Sequence, residues 1–245
     1  MLAKKYLTFK FNIVDKPVAE VARKYGCSNY SVLILSPTGE VAAKFTGHPT
    51  AAQIADAIVG IPEMAAGQEL LAQLKEKGIT KANAELVAVA LKKIGTTTSA
   101  NAEETILPYA KDDSAPEAVQ RGAILALAKQ PNAAKELVPY LTDKRFGIQS
   151  AAATTLTAMG PPGLPAVLDG LASDEVKVRV ACFGPAMNIT KNGKLAKDLT
   201  FWKTGKSDAR EKALETWKEW AADQLKPKSK DVLPDVQKLL PPAKK

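Results

Sequence analysis

The chain of 245 residues reads as α+β: a small α/β unit over residues 1–61, an all-α superhelical stack of helical hairpins over 62–225, and a basic Pro/Lys-rich tail over 226–245. Three observations carry this reading. Aspartates recur at Asp112, Asp143 and Asp174, 31 residues apart, each closing an apolar helix-like stretch. Self-similarity at such a period marks stacked supersecondary units rather than one closed core. Upstream of residue 62, apolar runs follow the short period of strands. Downstream, apolar positions return at helical spacing.

In the first unit, residues Tyr6 to Val14 alternate aromatic or aliphatic with polar side chains, as a strand does. Pro17 to Tyr25 then place Val18, Val21, Ala22 and Tyr25 on one helical face, and Gly26 stops it. Tyr30 to Leu35 form a near-continuous apolar run, the pattern of a strand covered on both faces. Turn residues Ser36 to Gly39 return the chain as a second strand over Glu40 to Phe45. Thr50 is placed to cap a helix whose inner stripe is Ile54, Ala57 and Ile58.

The remainder predicts helices. Leu70, Leu71 and Leu74 line one over 62–77; Leu86, Val87, Ala90, Leu91 and Ile94 line the next over 81–94. Gly78 and Gly95 stand where C-terminal caps would. "ILPYAKD" at 106–112 recurs as "LVPYLTD" at 137–143, and "LDGLASD" at 168–174 keeps its Leu and Asp. Helices are expected between them over 115–129, 146–159 and 175–188, with Ala and Gly allowing close approach of neighbouring layers. Each aspartate is expected to cap the helix that follows. Pro108, Pro139 and Pro165 are expected to kink or begin the second helix of each hairpin. Thr190 to Thr200 read as a polar, lysine-bearing loop. Asp208 then caps a closing helix with the stripe Leu214, Trp217, Ala221 and Leu225.

Composition bounds the chemistry. The net charge is +8, and residues 191–245 hold fourteen Lys and Arg against eight Asp and Glu, so the basic excess is mostly C-terminal. No apolar run approaches the ~20 residues of a membrane-spanning helix. Cys27 and Cys182 are far apart and belong to no CxxC or metal-ligand spacing, so each reads as a small buried hydrophobe. His48, the single histidine, precedes Pro49 at a turn, which leaves no Ser/His/Asp or histidine-metal constellation. Phosphate-binding glycine motifs are absent. The start lacks a signal-peptide h-region, which predicts a cytoplasmic protein if Met1 is the true start and an exported one if coding sequence precedes it.

Two stretches carry family resemblances. The elements "AEVARKYG", "YSVLIL-SPTGEVAAKFTG" and "TAAQIADAI" over roughly 6–60 resemble the C-terminal half of a thioredoxin-fold domain. The redox CxxC helix of that family would precede this segment, and its cis-proline position falls on Ser31. The resemblance therefore implies a redox-inactive partial domain whose unpaired sheet edge would favour self-association. Residues 80–190 resemble short bacterial HEAT-like repeats, helical hairpins with an Asp at the inter-repeat turn. The family's Val-Arg pair stands intact as Val178-Arg179 and is replaced by Ile148-Gln149 and Val119-Gln120 in the other copies. The "R-x3-L-x2-W-x2-W" wording of Arg210 to Trp220 resembles the closing helix of such proteins.

Together these readings predict a protein without catalytic, cofactor or metal sites that holds a protein partner on the stack. Its expected contacts are Tyr109 and Tyr140, which recur on second helices lining a concave face, with Arg145, Arg179, Lys191, Lys194 and Lys203 as polar candidates. Two other classes compete: a thiol-dependent protein through Cys27, and a nucleic-acid binder using Trp202, Trp217 and Trp220 amid lysines.

Overall fold

The computed structural model describes Glu20 and residues 31–35, 41–46, 51–98, 100–191 and 198–225. The expected first strand and helix, Cys27, His48, Lys194 and the tail over 226–245 lie outside these residues.

The α+β expectation is corrected. Helix follows helix from Ala51 to Leu225, and the described residues contain no sheet of thioredoxin type. Their only strands are β1 (Ser31–Leu35) and β2 (Val41–Thr46), a two-stranded antiparallel hairpin with an irregularity between Ile34 and Leu35. Ile34 and Phe45 are buried on it against Val32, Ile54, Ile58 and Ile61. The two strands thus lie on the first turns of α1 (Ala51–Glu76), and β2 also against the helix over Ala100–Ala110, as an appendage to a helical protein. A two-stranded ribbon is marginal alone, and these contacts hold it.

Helix α1 runs unbroken through residue 61 with Pro62 inside it. It is followed by α2 (Ala84–Ile94), α3 (Ala100–Ala110), α4 (Glu117–Ala126), α5 (Ala134–Leu137), α6 (Phe146–Met159), α7 (Leu164–Leu171), α8 (Val176–Thr190), α9 (Leu199–Thr204) and α10 (Ser207–Leu225). Contacts arrange these in two rows. In the first row α1 packs on α2, α2 on α4, α4 on α6 and α6 on α8. In the second, α3 lies against α4, the segment 131–142 against α6, and α7 against α8 and α10. One hydrophobic cluster runs from Met64 to Ala221, as stacked hairpins require, since no hairpin can bury its apolar face alone.

Small residues set the spacing of the first row. A Cβ on Gly122 would fall 2.8 Å from Ala88 Cα, and one on Gly95 would fall 2.9 Å from the Ala126 carbonyl carbon. Gly95 is therefore needed for approach rather than for turning, since its φ is −73°. Gly78, at φ +77°, does adopt the left-handed conformation that ends a helix. In the second row the three prolines act differently. Pro108 sits within α3, Pro139 converts the chain after α5 into the 3-10 turn Val138–Thr142, and Pro165 occupies the first turn of α7.

Hydrogen bonds from one repeat to the previous one reinforce the stack. Thr155 Oγ1 donates to the Ile124 carbonyl at 3.0 Å, and Gln130 Nε2 to that of Thr97 at 2.5 Å. Buried carbonyls left unpaired would cost about 1–3 kcal/mol each. Exposed ion pairs such as Lys93–Glu63 (3.0 Å) and Lys111–Glu136 (2.8 Å) join neighbouring repeats and contribute about 0–1 kcal/mol each.

The end of the stack differs from the expected loop-then-helix. Asp198 accepts from the Phe201 N–H at 2.7 Å and caps α9, while α10 begins at Ser207 and takes Asp208 into its first turn. Helix α9 buries Trp202 completely. Its ring meets Trp217 edge-on with centroids 5.9 Å apart, and the pair seals the core.

Candidate interaction surface

Among the expected site residues Tyr140 and Arg145 sit at an inter-repeat turn and Arg179 reaches one from α8, and the chemistry there is structural. Asp112 Oδ1 accepts from the N–H of Ser114 at 2.9 Å, and Asp143 Oδ1 from that of Arg145 at 2.7 Å. In the third copy Ser173 takes the role, its Oγ accepting from the Glu175 N–H at 3.2 Å. These are Asx- and Ser-type turns, which fold the backbone just upstream of the helix. The expectation of aspartate caps is thereby revised: the N-cap positions are Pro116, Arg145 and Glu175, and none makes a side-chain cap bond.

Arg145 ties two of these turns together. Its Nε and Nη2 reach the two Asp143 oxygens at 2.9 and 2.8 Å, and Nη2 also lies 3.3 Å from Asp113 Oδ1. Hydrogen bonding to Arg145 holds the Asp143 carboxyl below the usual carboxylate range, against some burial. The same bonds raise the pKa of Arg145 and fix its charge. Tyr140 stands in this group half-buried. Burial first, then the Asp113 charge, pushes its hydroxyl pKa upward.

Arg179 is only 4% exposed. Its Nε donates to the Trp202 carbonyl at 2.9 Å and its Nη1 to those of Ser173 and Asp174 at 2.7 and 2.8 Å. Burial, and then the charge of Arg210, lowers its pKa. The matching residues of the earlier copies act alike: Gln120 Nε2 donates to the Ala110 carbonyl at 3.0 Å, and Gln149 Nε2 to that of Leu141 at 2.9 Å. Each repeat thus places a long donor at this position, directed back at carbonyls left open where the preceding second-row element ends. Only Arg179 has enough donors to hold α9 as well.

The other candidates are scattered. Tyr109 lies half-buried in α3 beneath Lys75, whose Nζ is 5.4 Å from the ring centroid. Lys191 is exposed in a left-handed conformation (φ 46°) after α8, and Lys203 is exposed in the last turn of α9. Among the described residues no ion pair joins either lysine to the Arg145 group.

The most open apolar surface is elsewhere, on the first row. Large apolar side chains are exposed at Val59 of α1, Leu86 and Val89 of α2, Leu125 of α4, Phe146 of α6 and Val176 of α8, and at the C-terminal end at Leu199 of α9 and Leu225 of α10. Within the described residues none is exposed on α3, 131–142 or α7. Between α6 and α8 lies a concavity of about 320 Å³. Phe146, Ser150 and Ala153 form one wall and Val180, Ala181 and Gly184 the other, above Leu141 and Pro185. Phe146, 79% exposed, stands at its edge.

No protein-family model, curated protein or solved structure matches the chain.

The groove escaped sequence reasoning because its residues read individually as ordinary small helix formers. One signal was present. Phe146 and Val89 stand off the apolar stripes read for their helices, Ile148/Ala152/Leu156 and Leu86/Val87/Ala90/Leu91/Ile94, and a large apolar residue off the stripe must face solvent or a neighbour. Leu86, expected on the stripe, is exposed instead. Chemical groups suited to catalysis do not gather nearby. Cys182 is fully buried against Gly170, and burial pushes its thiol up to about 12, which keeps it protonated and inert at neutral pH. Among the described residues no group of three or more His, Cys, Asp or Glu is placed to hold a metal ion, and no helix is long and apolar enough to cross a membrane. Trp202 and Trp217, shut in the core, are closed to base stacking.

Proposed function

We propose that the chain is a non-catalytic protein-binding scaffold, a short array of HEAT-like hairpins whose contact face is the outer side of the first helix row. The observation that supports this is that every first-row helix exposes a large apolar side chain while α3, 131–142 and α7 expose none, Leu199 of α9 and Leu225 of α10 being the other two. Apolar surface gathered on one side of a stack marks a candidate contact face. The second row, where Tyr109 and Tyr140 were expected to make contact, presents ion pairs such as Lys135–Asp169 (3.8 Å). The repeat-by-repeat donors Gln120, Gln149 and Arg179, at the position of the Val-Arg pair, support the HEAT-like reading of the array.

Photo-activated cross-linking tests the face. With the cross-linker at Phe146 or Val89, adducts with a host protein are expected; at Lys135, on the second row, none. Adducts only at Lys135 would transfer the function to the second row, and none at any of the three would remove the scaffold reading.

A further inference from the structure

Two arginines meet at the end of the stack with no carboxylate bonded to either. Arg179 of α8 is buried and spends Nε on the Trp202 carbonyl and Nη1 on those of Ser173 and Asp174. Arg210 of α10 donates from Nη1 to the Gly205 carbonyl. Trp202 belongs to the last turn of α9 and Gly205 follows it, so both guanidiniums grip the carbonyl end of one short helix. Neither takes part in an ion pair among the described residues. The other two described arginines do: Arg121 meets Glu85, and Arg145 meets Asp113 and Asp143.

Carbonyls satisfy N–H donors but carry no net charge, so the bonds that hold α9 leave both cations uncompensated. A buried charge without a counter-ion is costly. Burial first, then the charge of Arg210, lowers the pKa of Arg179, and the opposing charge of Asp174 has less effect than either. The acidic residues nearest Arg210 in sequence do not answer it. Asp208 and Glu211 stand two before and one after it, off its helical face, and Glu211 bonds to Ser207. Donors remain for an anion. Arg179 Nη2 and Arg210 Nε and Nη2 make none of these bonds, and Arg179 Nη2 is not among the described buried atoms that lack a partner, which leaves it open to solvent.

We propose that Arg179 and Arg210 together bind a phosphate group beside α9, and that the bound group fastens the α9–α10 cap. Phosphate suits the pair because its several oxygens accept from two guanidinium forks at once, and its charge of about −2 matches theirs. Titration calorimetry of inorganic phosphate into the full chain, at fixed ionic strength, tests it. Saturable binding is expected, with a rise in melting temperature that follows the same dissociation constant. Arg210→Gln keeps a donor for the Gly205 carbonyl and removes a charge. It should weaken phosphate by about tenfold or more, without lowering the melting temperature in chloride, because the repulsion on Arg179 is relieved. Lys203→Gln, exposed on the same helix, should bind phosphate as the native chain does. Where Arg210→Gln loosens the cap, Arg210→Lys decides: it retains the charge and should bind phosphate more tightly than Arg210→Gln does. Phosphoserine titrated alongside tells an esterified phosphate from the free ion, the tighter of the two naming the source. Absence of saturable binding by both, or binding that Arg210→Gln spares, overturns the proposal. So does equal weakening in Lys203→Gln, the mark of general attraction to a basic surface, and so does an Arg210→Lys chain no better than Arg210→Gln.

Discussion

The seam between α2 and α4 and the groove between α6 and α8 are both spaces between consecutive first-row helices. One is closed and the other open. At the seam Gly122 lies so near Ala88 that a Cβ would overlap it, and glycine is what lets the two helices touch. At the groove Gly184 faces nothing, and small residues on both walls leave about 320 Å³ unfilled. The same residue type serves packing in one place and vacancy in the other. A glycine in a helix is thus uninformative until its neighbour is known.

Substituting the two glycines is the sharpest way to break this comparison. Gly122→Val should destabilise the protein by about 3 kcal/mol through overpacking against Ala88, whereas Gly184→Val should change stability by less than about 1 kcal/mol. Denaturant titration of both variants decides it, and equal losses would mean that the groove is a packed seam after all.

The turns give a second contrast, between the donors Arg179 and Gln149. Arg179→Leu leaves three carbonyls without their donor and should cost about 2–3 kcal/mol, while Gln149→Leu removes one bond and should cost about 1 kcal/mol. Proteolysis at the α8–α9 connection should rise only for the first, because Arg179 also anchors the Trp202 carbonyl.

A smaller effect is expected at Asp143. Its carboxyl is depressed in the folded state, chiefly by hydrogen bonding to Arg145. The stabilisation is complete above the unfolded carboxylate pKa of about 3.9 and is lost as pH falls through the lower folded value. Asp143→Asn should therefore cost about 1 kcal/mol at neutral pH, and the gap from the native chain should close on acidification below pH ~4. A gap that is unchanged at low pH would mean that the charge contributes nothing.

The smallest effect is the most telling for the groove. Phe146→Ser should alter stability by no more than about 0.5 kcal/mol, since the ring is largely in water, yet it should abolish cross-linking to a partner.

Much of the helical stack was legible. The aspartate period, the apolar stripes at Val119/Ala123/Leu127 and Ile148/Ala152/Leu156, and the second-row prolines all act between residues within a turn or two of one another. The hairpin at residues 31–46 shows where that legibility ends: strand-like periodicity there suggested a sheet domain, but a strand is completed by partners that local pattern does not supply. The site was less legible still. Arg179 has the composition of a surface contact and turned out to be buried, while Asp198, a helix cap visible in the sequence, passed as part of a loop.

By itself the sequence determined the 31-residue spacing and the apolar stripes of the central helices, such as Val119/Ala123/Leu127 and Ile148/Ala152/Leu156, because helical periodicity and turn chemistry are properties of near neighbours. It divided α1, missed α9 and placed Leu86 and Leu225 on inner faces although both are exposed. Tertiary structure alone decided which glycines are crowded and which are open, which carbonyls Gln120, Gln149 and Arg179 satisfy, and that Trp202 closes the stack. Those outcomes depend on which backbone arrives beside each residue once the repeats have stacked. Asp112 and Asp143 set the first two turns and Ser173 the third, but only the packing of one turn on the next gave Asp113 and Asp143 a common partner in Arg145 and left the space between α6 and α8 open.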